Sequence, residues 1–214
     1  MREGEPIASL LPTERVAADA DSRLRSVFLQ HRLVAGMPRW PGLPPTVAQF
    51  VIEQIAEHLL AVPGGLEPLM MLEREQPLLV RSTSIAVLAV SLARAGGWPA
   101  GQLAELGASA LLHDVGSVLG DGASGRAGFQ WLSSRGSSEF WLRCALVARH
   151  ARAGAGEAGE PPSFSVAVVQ LAAVLHERMA ATGCVPTAAW LRTEPACAGI
   201  PDAVLGLVDR LWPV

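Results

Sequence analysis

Apolar residues recur along this chain at helical spacing, and alternating runs of β-branched residues, typical of strands, are nearly absent. After Thr46, for example, Val47, Val51, Ile55 and Leu59 recur every four residues. Gly and Pro, with 21 and 16 residues, separate and end such segments. The sequence therefore predicts an all-α fold, a helical bundle, because a mixed sheet would need strands that are not found.

The same pattern predicts where the helices lie. We expect the segment 164–181 to be the most buried, and the Gly-rich stretch 120–128 and the stretch 153–163 to be loops. The predicted helices are residues 12–34 with Thr13 as N-cap, a helix from Thr46 to the stop at Pro63, 66–75, 78–95, 100–115, 137–152, 164–181, and two short pieces before Trp212.

A Pro-rich stretch, Pro38 to Pro45, separates two parts of the chain. Its sequence, Pro-Arg-Trp-Pro-Gly-Leu-Pro-Pro, cannot be helical throughout. We therefore predict an N-terminal helical appendage with its linker over residues 1–44, and a main helical domain over residues 45–214.

Composition excludes several classes of protein. Half of the residues are apolar and 17% are charged, which rules out a disordered chain. All 17 basic residues are Arg, but 20 acidic residues make the net charge −3, and no basic stripe is present. Nucleic acid is therefore not an expected partner.

Membrane and oxidising compartments are not expected either. The apolar stretches 82–93 and 161–175 are shorter than the roughly 18 residues of a spanning helix, so we interpret them as core helices. No secretory signal is visible, and three cysteines without a C-x-x-C pair predict neither a disulfide framework nor a zinc knuckle. The expected location is the cytoplasm.

The most informative motif is His113-Asp114, at the end of an amphipathic predicted helix. Adjacent His and Asp can direct a nitrogen and an oxygen ligand at one cation, and zinc, iron or manganese accepts that mixed set. Such a cation needs further ligands from other helices. A hydrogen-bonded core histidine is the alternative interpretation of the same pair.

Other motifs favour structural interpretations. The G-x-G-x-x-G at 154–159 follows a predicted helix rather than a strand, so it does not fit a dinucleotide site. His176 begins a zincin-like run without its second His and is expected on the polar face of a core helix. His31 and His58 are expected on surface faces, and no G-x-S-x-G elbow supports acyl transfer.

The stretch 47–119 closely resembles the HD superfamily and, within it, the HD-GYP branch. The similarity rests on Arg81-Ser-Thr-Ser-Ile-Ala-Val-Leu-Ala-Val and on Gln102-Leu-Ala-Glu-Leu-Gly-Ala-Ser-Ala-Leu-Leu-His-Asp-Val-Gly. It extends more loosely to Thr182. The resemblance implies an HD-domain-like helical bundle with a di- or trinuclear metal site, and active members hydrolyse cyclic di-GMP.

Several positions depart from the pattern of that family. His113 and Asp114 match the name-giving pair and His150 matches the second His of the His-His-Glu-Arg run, but Arg81 stands where the first metal ligand is a His. The Gly-Tyr-Pro signature has no counterpart in 154–162. The remaining departures are Ser117 for a Lys, Ser124 near a ligand His, and Ala173 for the last ligand Asp, where a shift of three residues would bring His176 instead.

These departures predict a vestigial metal site of His113, Asp114 and His150 that holds no cofactor or holds a metal weakly, since affinity depends on converging ligands. Arg81 carries a permanent positive charge and can replace the charge of the metal. We therefore predict an ion pair between Arg81 and Asp114.

Three functions remain open on this basis. The first is a catalytically degenerate HD-GYP-like domain that acts as a regulatory or interaction module in bacterial signalling, with a protein partner or a second copy of the chain. The second is a metal-dependent phosphohydrolase of a nucleotide or cyclic dinucleotide, in which Asp114, His113 and His150 hold Fe, Mn or Zn. The third is a non-hydrolysing nucleotide binder in which Arg81, Arg149 and Arg152 grip phosphates.

Overall fold

The computed structural model describes residues 40–119, 124–151 and 163–213. Within these ranges the chain forms helices and turns and no strand, which confirms the predicted all-α class. The predicted helix 12–34, the G-x-G-x-x-G stretch, His31, Arg152 and most of the predicted loop 153–163 lie outside the described residues.

The helices begin and end close to the Gly and Pro residues that separate the predicted segments. They are α1 (Pro45–Ala61), α2 (Leu66–Glu73), α3 (Gln76–Ala95), α4 (Ala100–Leu111), a 3₁₀ turn (Val115–Leu119), α5 (Ser124–Ser133), α6 (Glu139–His150), α7 (Phe164–Thr182), α8 (Ala188–Leu191), a second 3₁₀ turn (Pro195–Cys197), α9 (Asp202–Leu205) and α10 (Leu207–Leu211).

Helix α3 lies at the centre of the fold, in contact with α1, α2, α4, α7 and α10. Its residues 82–93 are all buried, and the buried hydroxyls of Thr83 and Ser84 donate to backbone carbonyls one turn earlier. The sequence-based prediction that residues 164–181 form the most buried helix is wrong. A smaller share of α7 than of α3 is buried, and Glu177 and Arg178 of α7 are exposed to solvent.

Two helix boundaries differ from prediction, and both affect the candidate site. Helix α4 ends at Leu111 instead of near residue 115, because Leu112 leaves the helical region with φ −90° and ψ 0°. Helix α5 occupies residues 124–133, where we predicted part of a loop. The glycines of α5 let it approach α6 closely. A Cβ on Gly125 would lie 2.9 Å from the carbonyl oxygen of Arg149, and Gly128 packs on Ala148.

Trp40, the first described residue, is buried, with 7% of its surface exposed. The rings of Trp40 and of His176 in α7 pack edge to face, with centroids 5.4 Å apart. The carbonyl of Pro41 accepts a hydrogen bond of 2.8 Å from the Trp212 indole. The end of the Pro-rich stretch is therefore held between α7 and the C-terminal residues.

Helices α3 and α7 are long and apolar enough to cross a membrane by length and composition alone. Within the fold, 72% and 44% of their most apolar windows are buried. Core helices of water-soluble bundles meet the same criterion, so the described residues give no clear membrane span.

Candidate functional site

His113 and Asp114 lie in the turn between α4 and the following 3₁₀ turn, not inside a helix. Their side chains are 1% and 0% exposed. The imidazole Nδ1 of His113 lies 2.7 Å from the carbonyl oxygen of Ala110. Since a carbonyl can only accept, Nδ1 donates to it, and the other ring nitrogen, Nε2, lies 3.9 Å from Asp114 Oδ2.

The ion pair predicted between Arg81 and Asp114 is present. Arg81 lies in the second turn of α3, and its Nη1 donates to Asp114 Oδ2 at 2.6 Å. Its Nη2 donates to Glu177 Oε1 of α7 at 2.9 Å, a contact that the sequence did not predict. One guanidinium therefore connects a buried carboxylate with an exposed one, and joins α3, α7 and the His-Asp turn.

The second oxygen of Asp114 is also satisfied. The hydroxyl of Ser117, which stands where the HD-GYP pattern has a Lys, donates to Oδ1 at 3.1 Å. Both carboxylate oxygens of Asp114 thus accept a hydrogen bond from a side chain, one from Arg81 and one from Ser117. A buried carboxylate needs such partners because its isolated charge is costly in the protein interior.

His176 borders this cluster and is half-buried, whereas we expected a polar helix face. Burial, followed by the charge of Arg81, lowers the pKa of His176, and Glu177 opposes the shift. The neutral imidazole is therefore favoured next to the guanidinium. His58 was likewise expected on the surface, but its ring is partly buried and packs on Phe140 with centroids 5.1 Å apart.

Among the described residues, no hydrogen bond, ion pair or ring contact joins His150 to the His-Asp pair. It ends α6, and its backbone carbonyl accepts from the Gln170 amide at 2.7 Å. The neighbouring Arg149 is exposed and lies over the Phe129 ring, 5.3 Å from its centroid. Ala173, at the last ligand position of the family pattern, is half-buried in α7 and supplies no donor atom.

Among the described residues, the donors around Asp114 do not make up a site for a divalent metal. Within residues 40–119, 124–151 and 163–213, no three His, Cys, Asp or Glu side chains are grouped so as to hold an ion. Arg81 directs a permanent cation at the oxygen of Asp114 that a metal would need. A metal at Asp114 would therefore have to displace this guanidinium.

The charges of the cluster also oppose anion binding. Arg81, Asp114 and Glu177 carry +1, −1 and −1, a sum of −1, and both terminal guanidinium nitrogens already donate to carboxylates. A phosphate would therefore have to compete with two carboxylates for the Arg81 guanidinium. Arg152, the third residue of the predicted phosphate grip, lies outside the described residues.

Comparisons of this chain with protein-family models, with curated proteins and with solved structures found no match. The resemblance to the HD-GYP branch therefore remains a prediction from the motifs.

Proposed function

We propose that this chain is a catalytically inactive HD-GYP-like domain that serves as a regulatory or protein-interaction module in bacterial signalling. In this proposal the ion-pair cluster of Arg81, Asp114, Ser117 and Glu177 has replaced a metal centre. The fold keeps the buried His113-Asp114 turn as a structural element and uses no metal for it.

The observation that carries the proposal is the position of the Arg81 guanidinium. It lies 2.6 Å from the fully buried Asp114 carboxylate, and Arg81 stands at the sequence position of a ligand His in the HD-GYP pattern. A guanidinium cannot be deprotonated in a protein and cannot ligate a metal. It can, however, neutralise the carboxylate permanently, which makes the domain independent of metal supply.

Hydrolysis and binding of cyclic di-GMP are the first measurements. The purified full chain, incubated with Mn²⁺ and cyclic di-GMP, should release no product above the protein-free blank, and calorimetric titration should show no binding heat. Turnover that disappears in Asp114→Asn would overturn the proposal in favour of a hydrolase. Metal-independent binding heat that disappears in Arg81→Gln would overturn it in favour of a nucleotide binder.

A matched pair of variants tests the replacement itself. Arg81→His removes the guanidinium and supplies a metal donor, whereas Arg81→Gln removes the charge without supplying an imidazole. If Arg81 stands where a metal ligand stood, Mn²⁺ or Zn²⁺ should raise the melting temperature of Arg81→His and leave those of Arg81→Gln and the parent chain unchanged. Equal responses of the two variants would count against the replacement.

A further inference from the structure

A second feature of the molecule is an open groove on the fold, apart from the ion-pair cluster. It has a volume of about 320 Å³ and lies between α1, α3 and α4. Its walls are mostly apolar and include Phe50 and Ile55 of α1, Val90 of α3, Trp98 after α3, and Leu103 of α4. Its volume is near the lower end of the ~300–1,000 Å³ of ligand sites, which suits a few inserted side chains.

Apolar surface continues from the groove onto its rim. Phe50 is 53% exposed, although it sits on a helix whose opposite face is buried. Trp98 contacts Phe164, the first residue of α7, with ring centroids 5.4 Å apart, and Phe164 is itself 40% exposed. Exposed aromatic residues around an apolar depression are typical of the centre of a protein interface.

Arg94 gives the groove a charge. It is the groove's charged lining residue, it is exposed, and its guanidinium makes no hydrogen bond or ion pair with a described residue. Other arginines of the fold, such as Arg81, Arg143 and Arg192, are held by carboxylates. A guanidinium beside an apolar groove is complementary to a carboxylate that adjoins apolar side chains.

We infer that this groove binds a segment of another protein in which two or three bulky apolar side chains adjoin an Asp or Glu. The apolar side chains enter between Phe50 and Leu103, and the carboxylate pairs with Arg94. The inference rests on the proposed interaction function and names the surface and the kind of partner for it. Arg is among the residues enriched at interfaces, as are Phe and Trp, so the groove has the composition of a binding centre.

The probe for this inference is a library of random peptides displayed on phage and selected on the immobilised full chain. The enriched peptides should share bulky apolar residues next to Asp or Glu. The affinity of an enriched peptide should fall at least about tenfold in Phe50→Ala, as for a residue at the centre of an interface. A selection repeated on Arg94→Glu should enrich Lys or Arg in place of the acidic residue.

Matched controls come from α2 and its C-terminal end, which do not line the groove. Met70 is 60% exposed and Arg74 is exposed, so Met70→Ala and Arg74→Glu repeat the two changes elsewhere on the surface. Both should leave the selected peptides and their affinities unchanged. Thermal unfolding of each variant establishes that the fold is retained.

The inference is overturned if no peptide is enriched, as would happen if residues 1–39 or a second copy of the chain filled the groove. It is also overturned if the enriched peptides bind Phe50→Ala and Arg94→Glu as well as the parent chain. These outcomes are independent of the metal and nucleotide measurements. A failure at the groove therefore leaves the proposal for the ion-pair cluster standing, and the reverse also holds.

Discussion

Replacing Arg81 by Met removes the guanidinium and keeps a chain of comparable length on α3. Asp114 then remains fully buried and loses the donor 2.6 Å from Oδ2, while Ser117 still donates to Oδ1. Glu177 loses its partner too, but it is 66% exposed and water can replace the contact. The loss is therefore concentrated on Asp114.

The magnitude follows from the burial of the two partners. Breaking a fully buried pair by removing one partner costs about 3–5 kcal/mol. The Arg81 side chain is 24% exposed, so water screens part of the pair, and we expect a loss of about 2–3 kcal/mol. For a chain of this size that corresponds to a fall in melting temperature of about 4–12 °C.

Denaturant unfolding of four proteins measures the effect: the parent, Arg81→Met, Asp114→Asn and the double variant. Asp114→Asn keeps an oxygen acceptor and leaves Arg81 its contact with Glu177, so it should cost about 1 kcal/mol. The double variant buries a neutral amide instead of an unpaired charge. It should therefore be more stable than the sum of the single losses predicts, by about 1–2 kcal/mol.

A surface ion pair provides the control. Arg192 and Asp202 are 3.0 Å apart with side chains 46% and 78% exposed, and Arg192→Met should cost less than about 1 kcal/mol. If Arg81→Met cost no more than Arg192→Met, or if the cycle gave no coupling, the cluster would not stabilise the fold. The account of a guanidinium replacing a metal would then lose its energetic basis.

Three further predictions concern other parts of the fold. Gly65→Ala should destabilise the chain by about 2 kcal/mol in thermal unfolding, because its Cβ would collide with a backbone carbonyl of α1. Gly101→Ala, where a Cβ would meet nothing within 4 Å, should not lower stability, and equal losses for the two would refute the steric reasoning. Burial raises the pKa of the Cys144 thiol to about 12. A thiol reagent should therefore modify the exposed Cys184 in the native chain and Cys144 only after denaturation. Fast reaction of Cys144 in the native chain would contradict this. Burial and the neighbouring guanidinium lower the pKa of His176 from 6.5, so the unfolded chain binds that proton more readily and stability should fall as the pH drops below about 6.5. His176→Phe should flatten that part of the profile in denaturant titrations, and an unchanged profile would refute the assignment.

Much of the fold could be predicted from sequence because its helices are separated by Gly and Pro. The α1 pattern of Val51, Ile55 and Leu59 predicted nearly the observed helix. The end of α4 could not be predicted, since apolar residues continue through Leu112 and only the backbone turn there moves the next residues out of the helix. Gly125 was predicted to lie in a loop because glycine often ends helices. In the structure it lets α5 approach α6 closely, and that role depends on tertiary packing.

The candidate site was predictable only in part, for a similar reason. The pairing of Arg81 with Asp114 was predicted from the resemblance to the HD-GYP pattern, in which both positions are metal ligands. Glu177 was missed because it lies 96 residues from Arg81 along the chain, and the sequence does not specify how α7 is rotated against α3. The same rotation places His176 against Trp40, which no local pattern indicates.

Metal analysis tests the central claim most directly. The full chain, purified without chelators after growth with added manganese, iron and zinc, is analysed by inductively coupled plasma mass spectrometry. If the Arg81 guanidinium has taken the place of the metal, the chain should carry each of these metals at far less than one ion per molecule. A stoichiometric metal ion that is lost in Asp114→Asn would contradict the account.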